Sequence, residues 1–293
     1  MEKMIQEQTT TIERELGQIA DMLLLNGTLT ECPGLVHGKM GIAVFFFHYA
    51  RHSGNSLFED YAVDLIEEMQ TQLYVNSPAD YEKGTAGIGV GVDYLVRNGF
   101  LKESDDMLVE LDQRMFSAVM LDPLPDFTLY YGLIGYGRYW ISWLSHRTSA
   151  DLAHECLLRI IFLIEEKFPV ISINEQTDVN FFLYDLQGIS GFESSIGLLD
   201  NCQRLWNLQA NDVIRSFPRL GDAVVGNIVR AYHRKRYFND YYQDEIDNAL
   251  KHISSLDMDI MPASLGLLNG YAGEGMLRLT AINKIDRSWL QLL

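Results

Sequence analysis

One short pattern recurs along the chain and constrains what it can fold into. It appears in "GLVHGKMGIAVFFFHYAR" from Gly34, "KGTAGIGVGVDYLVRNG" from Lys83, "YGLIGYGRYWISWL" from Tyr131, "LQGISGFESSIGLL" from Leu186 and "LNGYAGEGMLRLTAI" from Leu268. Each holds G-x-x-G, with the paired glycines at 38/41, 84/87, 132/135, 188/191 and 270/273. A weaker copy, "LGDAVVGNIVRAYH", begins at Leu220. The early spacing of about 46–56 residues fits a repeat of two helices and two connections. Glycine weakens a helix interior by roughly 0.5–1 kcal/mol relative to alanine. Pairs of glycines heading apolar, helix-like runs therefore answer to something other than propensity. Two readings are open: neighbouring helix ends crowd together, or the free N–H groups of each helix start face a ligand.

Between the blocks lie amphipathic segments. Ser56 to Tyr74 places Leu57, Tyr61, Leu65, Ile66, Met69 and Leu73 on one stripe, and Asp105 to Met120, Ser149 to Phe168 and Tyr241 to Leu256 behave alike. The glycine-led runs are apolar nearly all round, so they are expected to be buried. The pattern predicts an all-α fold of inner glycine-led helices alternating with outer amphipathic ones. A closed ring of hairpins and an open solenoid both satisfy it; the two-sided apolarity of the inner helices favours the closed (α/α) toroid, as a single domain over residues 1–293. "FPVISIN", Phe168 to Asn174, carries the one short extended signal. The 188-to-221 interval has little room for a full outer helix, which points to a reduced ring of about six hairpins.

The charge balance of 23 basic against 40 acidic residues, −17, argues against a nucleic-acid partner. Arg230, Arg234, Lys235 and Arg236 read as a solvated helix face. Cys32, Cys156 and Cys202 are too few and too widely spaced for a disulfide framework or a Cys-x-x-Cys metal site. The start "MEKMIQEQTTTIEREL" lacks a signal-peptide pattern. No run reaches about 18 apolar residues, so no membrane span is expected. A cytoplasmic location follows as the expectation.

Taken together, "GTAGIGVGVDYLVRNGF", "DLQGISG" and "SLGLLNGYAGEGMLRL" followed by "SWLQLL" resemble the repeats of the lanthionine synthetase C-like family, the LanC-type cyclases of lanthipeptide biosynthesis. The resemblance covers nearly the whole chain and implies the (α/α) toroid. It implies a chemistry in which a zinc ion, held by two cysteines and a histidine, activates a peptide cysteine for addition to dehydroalanine or dehydrobutyrine. Coordination lowers the thiol pKa, and the thiolate is the nucleophile.

Carried over position by position, most of that chemistry is missing. Arg219 stands where the first zinc cysteine belongs, while Arg215 matches an arginine four residues earlier. The Cys-His-Gly block is either deleted or replaced by "LNG", with Leu268 and Asn269 at the two ligand positions. Gln187 stands for the assisting histidine and Thr128 for the assisting aspartate, with Asp126 two residues before it. No cofactor is therefore expected, although the family uses zinc.

The candidates for lining a central bowl are His37, Thr128, Gln187, Glu193, Arg215 and Glu274. Glu193 and Glu274 are unusual acids that either face the bowl or pair with Arg138 or Arg215. Tyr130 and Tyr131 are possible groove residues. Three readings follow. In the first, a zinc-free LanC-like protein binds a precursor peptide or a modifying-enzyme partner. In the second, an enzyme carries out thiol addition without metal, using His37 or a carboxylate as base. In the third, a glycoside hydrolase draws a carboxylate pair from Asp126, Asp185, Glu193, Asp222 and Glu274.

Overall fold

The computed structural model describes residues 2–73, 77–102, 105–144, 151–192, 195–209, 224–238, 243–251, 253 and 265–293. Among them the fold is all-α, built from twelve α-helices and short 3-10 turns. The chain divides into two compact units, one formed by Met1–Gln72 with Pro218–Leu293 and the other by Leu73–Phe217.

The first unit joins the two ends of the chain. It contains α1 (Glu2–Asn26), α2 (Lys39–Ser53), α3 (Ser56–Gln72), α10 (Val224–Phe238), α11 (Gln243–Lys251) and α12 (Tyr271–Ala281). Helix α2 is buried without a break from Lys39 to His48, as its apolar run predicts. Helix α3, packed along it, buries Ala62, Leu65, Ile66 and Met69, the i, i+3, i+4, i+7 stripe of a one-sided helix. Leu57, expected on that stripe, is exposed. Phe46 of α2 fills the angle between the two helices, with ring centroids 5.7 Å from Phe58 and 5.0 Å from Tyr61. Helix α12 packs against both α2 and α1, and the terminal turn Ser288–Leu292 buries Trp289, whose indole N–H donates to Thr280 Oγ1.

The second unit contains α4 (Thr85–Arg97), α5 (Asp105–Met120), α6 (Leu133–Leu144), α7 (Asp151–Lys167), α8 (Ile173–Leu186) and α9 (Ser195–Gln209). Here α4 packs on α6 and α6 on α8, while α5 and α7 lie against them. Helix α7 buries Ala153, Cys156, Leu157, Ile160 and Ile164 on one face.

Three expectations fail in this unit. "FPVISIN" is not extended: Phe168–Val170 is a 3-10 turn, and Ser172 caps α8. Ser172 accepts from the Glu175 N–H while the Glu175 carboxylate accepts from the Ser172 N–H, a capping box that outweighs the β-branched residues around it. In consequence the fourth block does not lead an inner helix. Gly188 and Gly191 lie in the connection after α8, and Gly191 has a φ of +96°. Nor is the next interval too short for a helix, because α9 occupies 15 residues of it.

Candidate functional site

The heads of the glycine-led helices were the expected site, and their geometry repeats. The first N–H groups of a helix have no partner inside it. Here they are engaged by the chain itself, through carbonyls seven residues back. Lys39 N–H donates to Cys32 O and Met40 to Pro33 O; Thr85 donates to Pro78 O and Ala86 to Ala79 O; Leu133 donates to Asp126 O; Ala272 donates to Leu265 O and Gly273 to Gly266 O, all at 2.8–3.3 Å. Each helix thus begins by folding over its own loop.

That fold-over explains the G-x-x-G spacing. A Cβ on Gly38, Gly84 or Gly132 would come closer than 3.0 Å to the carbonyl oxygen six residues back, of Cys32, Pro78 and Asp126 respectively. The second glycine repeats the relation: Gly41, Gly135 and Gly273 lie over the carbonyls of Leu35, Leu129 and Leu267. Gly38 and Gly84 have extended backbone, φ −122° and −106°, so close approach and not a left-handed conformation demands glycine there. The crowding is of backbone, as one reading had it, but chiefly against each head's own loop and not between neighbouring helix ends.

Neighbouring heads are also tied together. In the second unit the Tyr81 and Glu82 N–H groups donate to Tyr130 O at 2.9 and 3.2 Å. In the first, the Leu268 N–H donates to Val36 O at 3.0 Å. Glu82, Tyr130, Leu268 and Val36 all stand two residues before the first glycine of their block. Further into the helices, Gly89 of α4 receives the ring of Tyr139 from α6, Gly137 of α6 receives Phe182 from α8, and Gly275 of α12 receives Phe45 from α2. Helix α8 supports the loop before α6 in a different way: Glu175 accepts from the Phe127 N–H at 3.1 Å and Asp178 from the Leu129 N–H at 2.9 Å. Neither acid stood out in the sequence, because a carboxylate capping a distant loop leaves no local pattern.

The expected site residues are distributed unevenly over this frame. His37 is half-buried in the loop before α2, and its backbone packs against Gly266. Thr128 is buried as a turn residue: its N–H donates to Asp126 Oδ1, its hydroxyl accepts from the Tyr131 N–H, and its carbonyl accepts from Gly132. Gln187 is exposed at the C-terminal end of α8. The α8 residues that touch the α6 loop are Glu175 and Asp178, about 18 Å and about 13 Å away along the axis at about 1.5 Å per residue. Thr128 and Gln187 are therefore not brought together.

Glu274 was expected to face the bowl or to pair with Arg138 or Arg215, and its described partner is a different arginine. Its carboxylate accepts from Arg278 Nη1 at 2.6 Å, one helical turn on, and Arg278 Nε donates to Glu15 of α1 at 2.9 Å. Arg278 is fully buried, so these two carboxylates supply the partners a buried guanidinium requires. Tyr130 is buried and Tyr131 is 52% exposed. Glu193, Arg215, Arg219 and Asp222 lie outside the described residues.

The positions that the resemblance assigns to zinc do not fit that ion. Leu268 is a buried hydrocarbon, and Asn269 carries a carboxamide on a backbone with φ +54°. Neither supplies the thiolate or imidazole that zinc prefers. Among the described residues no three His, Cys, Asp or Glu side chains are grouped to hold a metal ion. None of the three cysteines is in a disulfide; burial first, then nearby acids, pushes the thiols of Cys156 and Cys202 up to about 12. Those two are thiols, not thiolates, at neutral pH. Among the described residues no helix is long and apolar enough to cross a membrane. No protein-family model matches the chain, and no curated protein matches it either.

Proposed function

We propose that this chain is a shortened, divergent LanC-like protein. In this reading residues 1–293 form one (α/α) toroid of about six hairpins, which binds a peptide or protein partner in modified-peptide biosynthesis without zinc-dependent cyclisation. The ring is supported by the order of the interlocks. Helix α12 takes the Phe45 ring of α2 just as α4 takes the Tyr139 ring of α6, so the last glycine-led helix is followed by the first. The backbone bond from Leu268 to Val36 repeats that from Glu82 to Tyr130 in the same sense. A ring needs this order, whereas an open solenoid leaves its first and last helices unmatched.

The observation that carries the functional reading is a scaffold kept while its chemistry is replaced. The glycine heads retain their tight register, yet Thr128, Gln187, Leu268 and Asn269 stand where an acid, a base and two metal ligands belong. The two enzyme alternatives gain nothing from the geometry. Asp126 holds a turn and Glu274 is tied to Arg278, which weakens a carboxylate-pair hydrolase.

The test uses the purified full chain, zinc and a labelled peptide containing both cysteine and dehydroalanine. Fluorescence anisotropy is expected to show saturable binding. Mass spectrometry after thiol alkylation is expected to show no thioether beyond the buffer blank. Stoichiometric tightly held zinc with thioether formation overturns the loss of chemistry, and absence of binding overturns the peptide-binding reading.

A further inference from the structure

Around the head of each described glycine-led helix, burial follows one rule. From two residues before the first glycine to one residue after it, every residue is buried except the one immediately before the glycine. Those exceptions are His37, Lys83, Tyr131 and Asn269. Their neighbours Val36, Glu82, Tyr130 and Leu268 are the residues tied to the adjacent loop, and Gly38, Gly84, Gly132 and Gly270 lie in the fold-over. Backbone bonding on both sides leaves a single incompletely buried residue per repeat, always in the same register; Lys83 and Tyr131 are exposed, and His37 and Asn269 are half-buried.

All four of these side chains can donate a hydrogen bond: an imidazole, an ammonium, a phenol and a carboxamide. None is a carboxylate, in a chain with 40 acidic residues. They fall in neighbouring pairs. Lys83 and Tyr131 each stand one peptide unit from the Glu82–Tyr130 bond, and Asn269 and His37 each stand one peptide unit from the Leu268–Val36 bond. Lys83 is 59% exposed with its ammonium 3.5 Å from the Glu82 carboxylate, and Tyr131 is 52% exposed, so this pair is the more accessible. The helix-start N–H groups are already engaged, so recognition at these heads falls to side chains.

We infer that the residue before each first glycine is the recognition register, with Lys83 and Tyr131 as its principal contacts. They receive a peptide segment through its acceptor groups, either main-chain carbonyls or carboxylates. This inference rests on the peptide-binding reading above and adds the residues and the chemistry of contact.

The test measures anisotropy of a labelled peptide containing Ser, Thr, Cys and Glu, against the full chain and its variants. A second, C-terminally amidated peptide has Gln for every Glu. Lys83→Met combined with Tyr131→Phe is expected to weaken binding about tenfold, the effect of losing one good hydrogen bond to a charged donor. The melting temperature should be unchanged, and Lys102→Met, an exposed lysine outside the register, should bind as the parent does. Equal loss for both peptides assigns the acceptors to main-chain carbonyls; loss confined to the Glu peptide assigns them to carboxylates. If both peptides bind and the double variant binds as well as the parent, the register is wrong while peptide binding stands. If neither peptide binds, both readings fall together.

Discussion

At the scale of single residues, burial decides what a side chain can do. His48 is 5% exposed in α2; its pKa is pushed down to about 4, chiefly by burial, then by the nearby Arg51 guanidinium, with Asp286 opposing. The folded protein therefore holds it neutral, while the unfolded chain protonates it near 6.5. Its contribution is present above pH 6.5 and is lost as pH falls toward 4, by about 3 kcal/mol over that window. Thermal melts from pH 7.5 to 4 should show a falling midpoint that His48→Gln flattens; a parallel fall in the variant would remove His48 from the account.

The cysteines make a second residue-scale case. With Cys156 and Cys202 buried and their pKa values raised to about 12, native protein at pH 8 is expected to take one alkyl group, on the half-buried Cys32. In denaturant it should take three. Peptide mapping that finds Cys156 or Cys202 modified in the native state would contradict this burial.

At the scale of elements, glycine is the informative residue, and its positions are not equivalent. Gly84→Ala sets a methyl group against the Pro78 carbonyl oxygen, backbone against backbone, with no side chain able to yield. A loss of about 1–3 kcal/mol is expected by urea unfolding. Gly197 is exposed in α9 with no heavy atom within 4 Å of an added Cβ. Gly197→Ala should instead stabilise by about 0.4–1 kcal/mol. Gly89 lies between these cases, since its obstacle is the Tyr139 ring. Gly89→Ala should destabilise alone and be partly rescued by Tyr139→Leu. Additive losses in the double variant would mean that the ring and the glycine are not in contact.

The same elements show what the sequence made legible. The inner and outer helices could be read because burial imposes a period on the chain, as in the unbroken apolar run of α2 and the one-sided stripe of α3. Block four misled because G-x-x-G is also good turn chemistry, and Gly191 with φ +96° serves a turn. The start of α8 was hidden because Ser172 and Glu175 act through a reciprocal cap whose neighbours are apolar and β-branched. At the candidate site, the first glycine of each block marked the head, but the single accessible position before it emerges only once the bonding on either side is known. Glu15 could not be paired with Arg278 by any local pattern, because 263 residues separate them.

At the scale of the whole molecule, the chain's two ends build one unit while its middle builds another. Helices α1 and α2 bury Leu16, Ile19, Phe45 and Phe47 in a unit that α3 and three helices from beyond residue 218 complete. The contact between Phe45 and Gly275 and the ion pair between Glu15 and Arg278 therefore close over nearly the full length of the chain. Contacts of such high sequence separation are expected to slow folding, because loop closure is costly before they reward it. Arg278→Leu is expected to lower the melting temperature strongly, since it leaves the buried Glu15 and the half-buried Glu274 without their cation, at a cost of about 3–5 kcal/mol. Deleting residues 265–293 goes further and removes α12 outright. Amide hydrogen exchange should then show α1, α2 and α3 losing protection together, while α4, α6 and α8 of the continuous unit keep theirs. Retained protection in α1 and α2 would show that the amino-terminal helices hold their own core and that the carboxy-terminal segment merely decorates it. Loss of protection throughout would instead show that the two units unfold as one.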